Sequence, residues 1–330
     1  MTKLLQRIAT ACLAVFSFSA AHASCGSSAC SINTNWDEHS AGKPGLSIDL
    51  RYSSAKLDQL RSGSNKTAAA APTDPALTPG DEVENLYTQN RLITTTLDYT
   101  MDDKFGFSVQ LPYVMRTHKH TIADPVQPTV ETFESRALGD IKMTGRYRIA
   151  SDDTGGIGFK AGLKLATGRK NIANDQGVVP TEVSLQPGNG STDLIVGAFW
   201  QRGVHGEALS YFAQAMLQTS IKHIEDFKPG NQINLDAGLR YALNSSASAL
   251  LQINYQNNAQ DSGIAAPADA SGVAGSATGG KFLYLTPGVS FAIFPGTNLY
   301  GLMQLPLYRY VNGEQLTAGK SVTIGINHRI

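Results

Sequence analysis

The residues with the most individual chemistry stand near the N-terminus. Cys25 and Cys30 have four residues between them. Two thiols this close can form a local disulfide, work as a redox-active dithiol, or hold a soft metal with His39 as a further ligand. An oxidising compartment would favour the disulfide, and the other two readings stay open. A second group is His118-Lys119-His120, which puts two imidazoles on one face of a strand, where they could share a metal. Read as a pair in an exposed loop, it is more simply a solvated one, so no metal site is assigned. His223 stands in another loop. No serine beside these histidines completes a nucleophile–base pair. Neither a glycine-rich phosphate loop nor a carboxylate pair stands out, so we assign no catalytic residue and expect neither an enzyme nor a cofactor.

A third group is basic: Lys142, Arg146 and Arg148 in one segment, Lys160 and Lys164 in the next, and Arg240 further on. What these residues can do depends on the elements that carry them. The chain opens with Lys3 and Arg7, then an apolar run from Ile8 to Ala20, then Ala21-His22-Ala23. That order is a secretory signal peptide, residues 1–23, whose apolar run is too short to span a bilayer as a helix. His22 stands where a lipobox would carry Leu, so Cys25 is not read as a lipid anchor. Residues 24–44 form a short periplasmic Cys-containing leader or plug, with Trp36 as an apolar anchor.

Only 16% of residues are charged and the net charge is zero, against about a quarter charged in ordinary soluble domains. No long apolar run follows the signal, which excludes a helical membrane protein, and nothing in the charge suggests nucleic acid. Periodicity decides the class. Ile93, Leu97, Tyr99 and Met101 share one face, and Thr94, Thr96, Asp98 and Thr100 the other. After Asp102-Asp103-Lys104 the apolar face resumes with Phe105, Phe107, Val109, Leu111 and Tyr113. Alternation over about ten residues marks a strand with lipid on one side and a polar lumen on the other.

Twelve such segments are expected, near 45–53, 91–101, 105–116, 139–149, 157–167, 192–202, 208–221, 232–243, 247–257, 281–293, 298–310 and 321–330. Short connections such as 102–104, 151–155, 244–246 and 294–297 alternate with long ones such as 54–90, 117–138, 168–191 and 258–280. This predicts an all-β transmembrane antiparallel barrel over 45–330, in the outer membrane of a Gram-negative bacterium. Both termini would be periplasmic and the long loops outside. The final Ile330 departs from the aromatic residue common at the end of such barrels.

Leu138-Gly139-Asp140-Ile141 with Gly145-Arg146-Tyr147-Arg148, and Tyr310-Val311-Asn312-Gly313-Glu314-Gln315-Leu316 before the last strand, resemble the outer-membrane proteins grouped under the MetA-pathway of phenol degradation. Members are regarded as transporters distantly similar to the long-chain fatty-acid porins. Pro112, Pro287 and Pro306 fall inside predicted strands, where proline removes a ladder donor and forces a kink or break. The resemblance implies that such a kink can open a lateral path from lumen to lipid, with a packed bulge as the simpler alternative.

If the short turn pairs Ile149 with Ile157, Arg146 lies opposite Lys160 and Lys142 opposite Lys164. Like charges so placed repel unless water, carboxylates or a bound anion screens them. With Arg51, Arg148, Arg240 and Arg329 they give the lumen wall a positive excess over Asp49, Asp98, Asp140 and Asp236. That wall would favour anionic solutes unless Asp140, Asp236 and loop acids neutralise it. The reading is an outer-membrane channel or transporter for a small hydrophobic or amphipathic, and in one version anionic, solute. Its partners are outer-membrane lipid and that solute, with a periplasmic partner at the leader. The alternatives are a non-transport barrel docking a redox or metal-handling partner through the leader, and an outer-membrane hydrolase.

Overall fold

The computed structural model describes residues 44–330 apart from 153, 180–181, 205–207 and 269–272. The signal peptide, residues 24–43 of the leader, and with them Cys25, Cys30 and His39, lie outside the described residues.

Thirteen strands follow in order: β1 Gly45–Gly63, β2 Asn65–Lys66, β3 Glu82–Thr100, β4 Phe105–Ile122, β5 Thr129–Leu138, β6 Lys142–Asp152, β7 Gly155–Lys164, β8 Thr192–Gly203, β9 Leu209–Lys222, β10 Gln232–Ala242, β11 Ala247–Asn258, β12 Gly280–Phe294 and β13 Thr297–Arg329. Eleven of them form one antiparallel sheet that closes where β13 meets β1. The short β2 pairs with β1, and β5 with β4, as additional strands.

The ring follows the course of the twelve expected segments, with eleven and twelve running together as the two arms of β13: its 297–311 stretch pairs with β12 and its 311–329 stretch with β1. Its 33 residues would reach about 110 Å if straight, far beyond the roughly 30 Å of a hydrocarbon core, so it folds back on itself. Gly313, at φ 59°, stands at the reversal. Hydrogen bonds from Arg309 to Thr317 and from Ser321 to Gln304 tie the two arms together.

The burial pattern is that of a soluble protein turned inside out. Outward side chains such as Leu97, Tyr99, Phe105, Phe107, Tyr147, Phe159, Ile253 and Phe291 are exposed, while inward Thr94, Thr96, Asp49, Asp236, Gln252, Asn254 and Thr286 are buried. In water such an apolar belt would drive aggregation. In a bilayer it is required, because lipid contacts the belt and the closed ladder pairs backbone polar groups between neighbouring strands. Phe105 and Tyr147, cross-strand partners on the belt, place their rings 4.9 Å apart.

Short turns after β3, β6, β10 and β12 gather at one end, and the segments between β4 and β5, β7 and β8, β9 and β10, and β11 and β12 at the other. No helix among the described residues is long and apolar enough to cross a membrane. Two expected loops are partly strand. β1 and β3 extend to Gly63 and back to Glu82, narrowing the 54–90 connection, and β4 runs on to Ile122 while β5 fills 129–138.

Candidate functional site

Alternation sets the lumen wall. The register pairs Arg146 with Lys160 and Lys142 with Lys164, yet the charges are not left facing each other. Arg146 reaches past β4 to Asp98 on β3 with a 2.6 Å contact. Lys164 stands 3.2 Å from both Asp140 and Asp193 and donates to Asn189 and Ser191 as well. Lys160 lies over the Phe199 ring, 5.2 Å from its centroid, and Lys142 donates to Gln218 on β9. Arg148 is buried and contacts the Asp103 carbonyl at the short-turn end, and Arg240 is partly buried opposite Ser210. Carboxylates therefore screen Arg146 and Lys164, and one of them, Asp193, was not anticipated. It opens a segment with apolar residues on both faces, so alternation gave no inward direction there.

The three strand prolines stand beside irregularities. Pro112 faces Thr94 on one side; on the other, β4 changes partner from β6, ending at the Gln110–Lys142 pair, to β5, beginning at Tyr113–Leu138. The break at 139–141 is held by the connection after β7: Gly168 donates to Asp140, Leu165 to the Ile141 carbonyl and Arg169 to the Leu138 carbonyl. The β12–β13 register has no partner for Pro287, and Pro306 pairs with Tyr284 next to a register shift. A cleft of about 200 Å³ lined by Gln89, Arg91, Met115, Arg116, Thr117 and Arg136 lies beyond Pro112. It is smaller than the ~300 Å³ at which small-molecule pockets begin.

The densest chemistry lies at the long-loop end, where β3 and β4 continue past the apolar belt. His118 and His120 are not in an exposed loop, as the sequence suggested; they lie on β4, face inward and are 1% and 4% exposed. Opposite them β3 carries a register irregularity between Val83 and Tyr87. Such a bulge re-aims side chains, and Glu84, also buried, lies within it. His118 Nε2 is 2.8 Å from His120 Nδ1 and 3.3 Å from Glu84, while Thr88 Oγ1 sits 2.9 Å from His118 Nδ1.

The 165–191 connection folds over this cluster. Its one-turn 3-10 segment, Val183–Leu185, is anchored by a hydrogen bond from Arg116 to the Ser184 carbonyl, and Gln186 brackets Ile172 through both its backbone groups. Leu185 packs with Leu57, Leu60, Phe133 and Leu316 in an apolar cluster. Burial pushes the Glu182 carboxyl up to about 7, His118 opposing this shift and Glu84 and Glu82 adding to it. Glu84 and Glu182 escaped the sequence reading because both fall in segments read as solvated loops.

No family model and no curated protein sequence matches the chain. Among solved structures, an outer membrane channel from Pseudomonas putida F1 superimposes with a TM-score of 0.61 over 91% of this chain and 100% of that one, at 10% identity. The toluene transporter of Ralstonia pickettii aligns at 0.45 over 96% and 100%, with 9% identity. A FadL homologue of Pseudomonas aeruginosa aligns at 0.43 over 86% and 90%, with 11% identity. The last two fit too loosely to argue from. The first establishes the fold, a closed antiparallel β-barrel.

Proposed function

We propose that the chain is an outer-membrane channel through which a small hydrophobic or amphipathic solute crosses, with the short turns and both termini on the periplasmic side. The observation that carries this reading is the inverted barrel, apolar outside and lined with buried charged and amide side chains inside. A soluble sandwich of the same strands would bury the apolar face instead.

Solute enters at the long-loop end, where the 182–186 segment rests on the apolar cluster of Leu57, Leu60, Phe133 and Leu316. Lifting that segment would offer an apolar foothold above a polar lumen, as a solute with both characters requires. The resemblance to the phenol-degradation transporters points to the same solute class. Lys142 and Lys160, whose contacts here are Gln218 and Phe199, give a remaining preference for anions. Pro112 and the break at 139–141 mark where a side path to lipid would lie. The cysteine leader meets any periplasmic partner.

Conductance across planar bilayers tests the reading. The purified protein should open discrete channels, and Lys142→Glu/Lys160→Glu should move their ion selectivity toward cations. A barrel that inserts yet neither conducts nor admits solute in liposome swelling assays would favour a scaffold instead.

A further inference from the structure

We infer that Glu84, His118 and His120 form a binding site for a divalent first-row transition cation at the long-loop end of the barrel. The inference is independent of whether a solute crosses the lumen. The three side chains are buried, and one ligand atom from each lies within 4.8 Å of the others. Two nitrogens bound to one ion at about 2.0–2.1 Å lie roughly 3 Å apart. The 2.8 Å between His118 Nε2 and His120 Nδ1 is already close to that separation.

Hydrogen bonding alone satisfies this group poorly. Thr88 takes His118 Nδ1, which leaves Nε2 as the nitrogen turned to the cluster. A single proton there faces two acceptors, His120 Nδ1 at 2.8 Å and Glu84 at 3.3 Å, and can serve only one of them fully. His120 Nε2 is buried without a hydrogen-bond partner, with the Glu82 carboxylate 4.0 Å away. A cation at the centre replaces the contested proton and accepts all three ligands. Thr88 and Glu82 then act from outside, holding each ring by its other nitrogen, as groups behind metal-bound histidines do.

Two imidazoles and a carboxylate suit zinc, copper, nickel or iron rather than calcium or magnesium. The surrounding charge agrees, since Glu82 and Glu182 add acidity and the nearest inward cation on β4, Arg116, is engaged with Asn90 and Ser184. The ligands come from two strands, so a bound ion would tie β3 to β4 across the bulge, beneath the segment bearing Glu182.

Cobalt(II) reports on the site, because a thiolate-to-cobalt charge-transfer band would reveal binding at Cys25 and Cys30 instead. The full mature protein in detergent, freed of metal by a chelator, should take up one equivalent of cobalt without that band. His118→Gln and His120→Gln should each weaken binding by at least ~100-fold, and Thr88→Val by about tenfold. The outward-facing Lys119→Gln should leave it unchanged. Heat-shifted gel mobility checks that each variant is folded, and Thr88→Val, which keeps all three ligands, decides the matter if the histidine variants do not assemble. Absence of saturable binding to the unsubstituted protein overturns the site. So does binding that Cys25→Ser/Cys30→Ser removes, or binding that Thr88→Val leaves unaltered.

Discussion

At the short-turn end of the barrel, three of the described reversals are each organised by a residue two or three positions away. Asp102 accepts hydrogen bonds from the backbone of Lys104 and Phe105, Asp152 from Thr154 and Gly155, and Asn244 from Ser246 and Ala247. At the opposite end such local closures recur, as at Asp124 with Val126 and Gln127, but further contacts reach across the sequence. Asn174 meets Glu131, Asp175 meets Thr132, Arg116 meets Ser184, and Asp261 meets Gly230. A side chain that closes its own turn works the same way in any chain. One that depends on a distant loop works only when both ends are in place, so the long-loop end is where cooperativity and function concentrate.

The largest effect on this contrast should come from Lys164→Ala at the long-loop margin. It strands the Asp140 and Asp193 carboxylates, both within 3.2 Å of the lost amine. Removing one member of a buried charge group costs about 3–5 kcal/mol. The midpoint for loss of heat-resistant gel mobility should fall well below that of the parent, and an unshifted midpoint would mean that water reaches the pair freely.

A smaller effect belongs to Asp261, whose carboxyl burial pushes up to about 6, against the Gly230 N–H that lowers it. The folded loop holds this proton more tightly than the unfolded chain, whose carboxyl titrates near 3.8. Its contribution is therefore complete below pH ~4 and lost as pH rises through ~6. Proteolysis within 259–279 should become several-fold faster between those limits after correction for the protease's own profile, and Asp261→Asn should flatten the change. A variant that still follows the parent's pH dependence would assign the effect to another group.

Smallest of all should be Asp102→Ala at the short-turn end. It removes two backbone contacts from an exposed turn whose carboxyl those N–H groups hold below its usual range. Only a slight fall in the gel-mobility midpoint is expected, because water replaces the lost contacts, with conductance and cobalt uptake untouched. A cost as large as that of Lys164→Ala would erase the distinction between the two ends.

The same distinction explains what could be read in advance. Inside the lipid belt the outward face must be apolar, so β10 and β11 emerge from the sequence almost residue for residue. Beyond the belt that requirement ends. Outward from β4 come Thr117 and Lys119. In β5 the pattern reverses, with Phe133 and Ala137 buried and Glu134 and Arg136 outward. A search for apolar-out alternation sees loops there, and so His118 and His120 looked solvated. The lumen pairings were legible from the two-residue period, even though Ile157 pairs with Ala150 across a register shift rather than with the expected Ile149. Neutralisation by acids stood as one of two alternatives; which acid meets which base was not legible, because Asp98 reaches Arg146 from two strands away and Asp193 lies in a stretch without a clear polar face.

The seam between β1 and β13 bears on how the molecule comes to exist. Ser47 pairs with Arg329 and Leu50 with Ile326, so the first strand made waits for the last before its free edge is covered. Closure joins residues nearly a chain length apart, the kind of contact that slows folding most. Until then both rims of an unfinished sheet can recruit other chains. A message cut short after residue 311 would leave that state permanent, since β1 would have no partner on one side. The cell's interest in completing or destroying such a chain follows from the ring having only one place to shut.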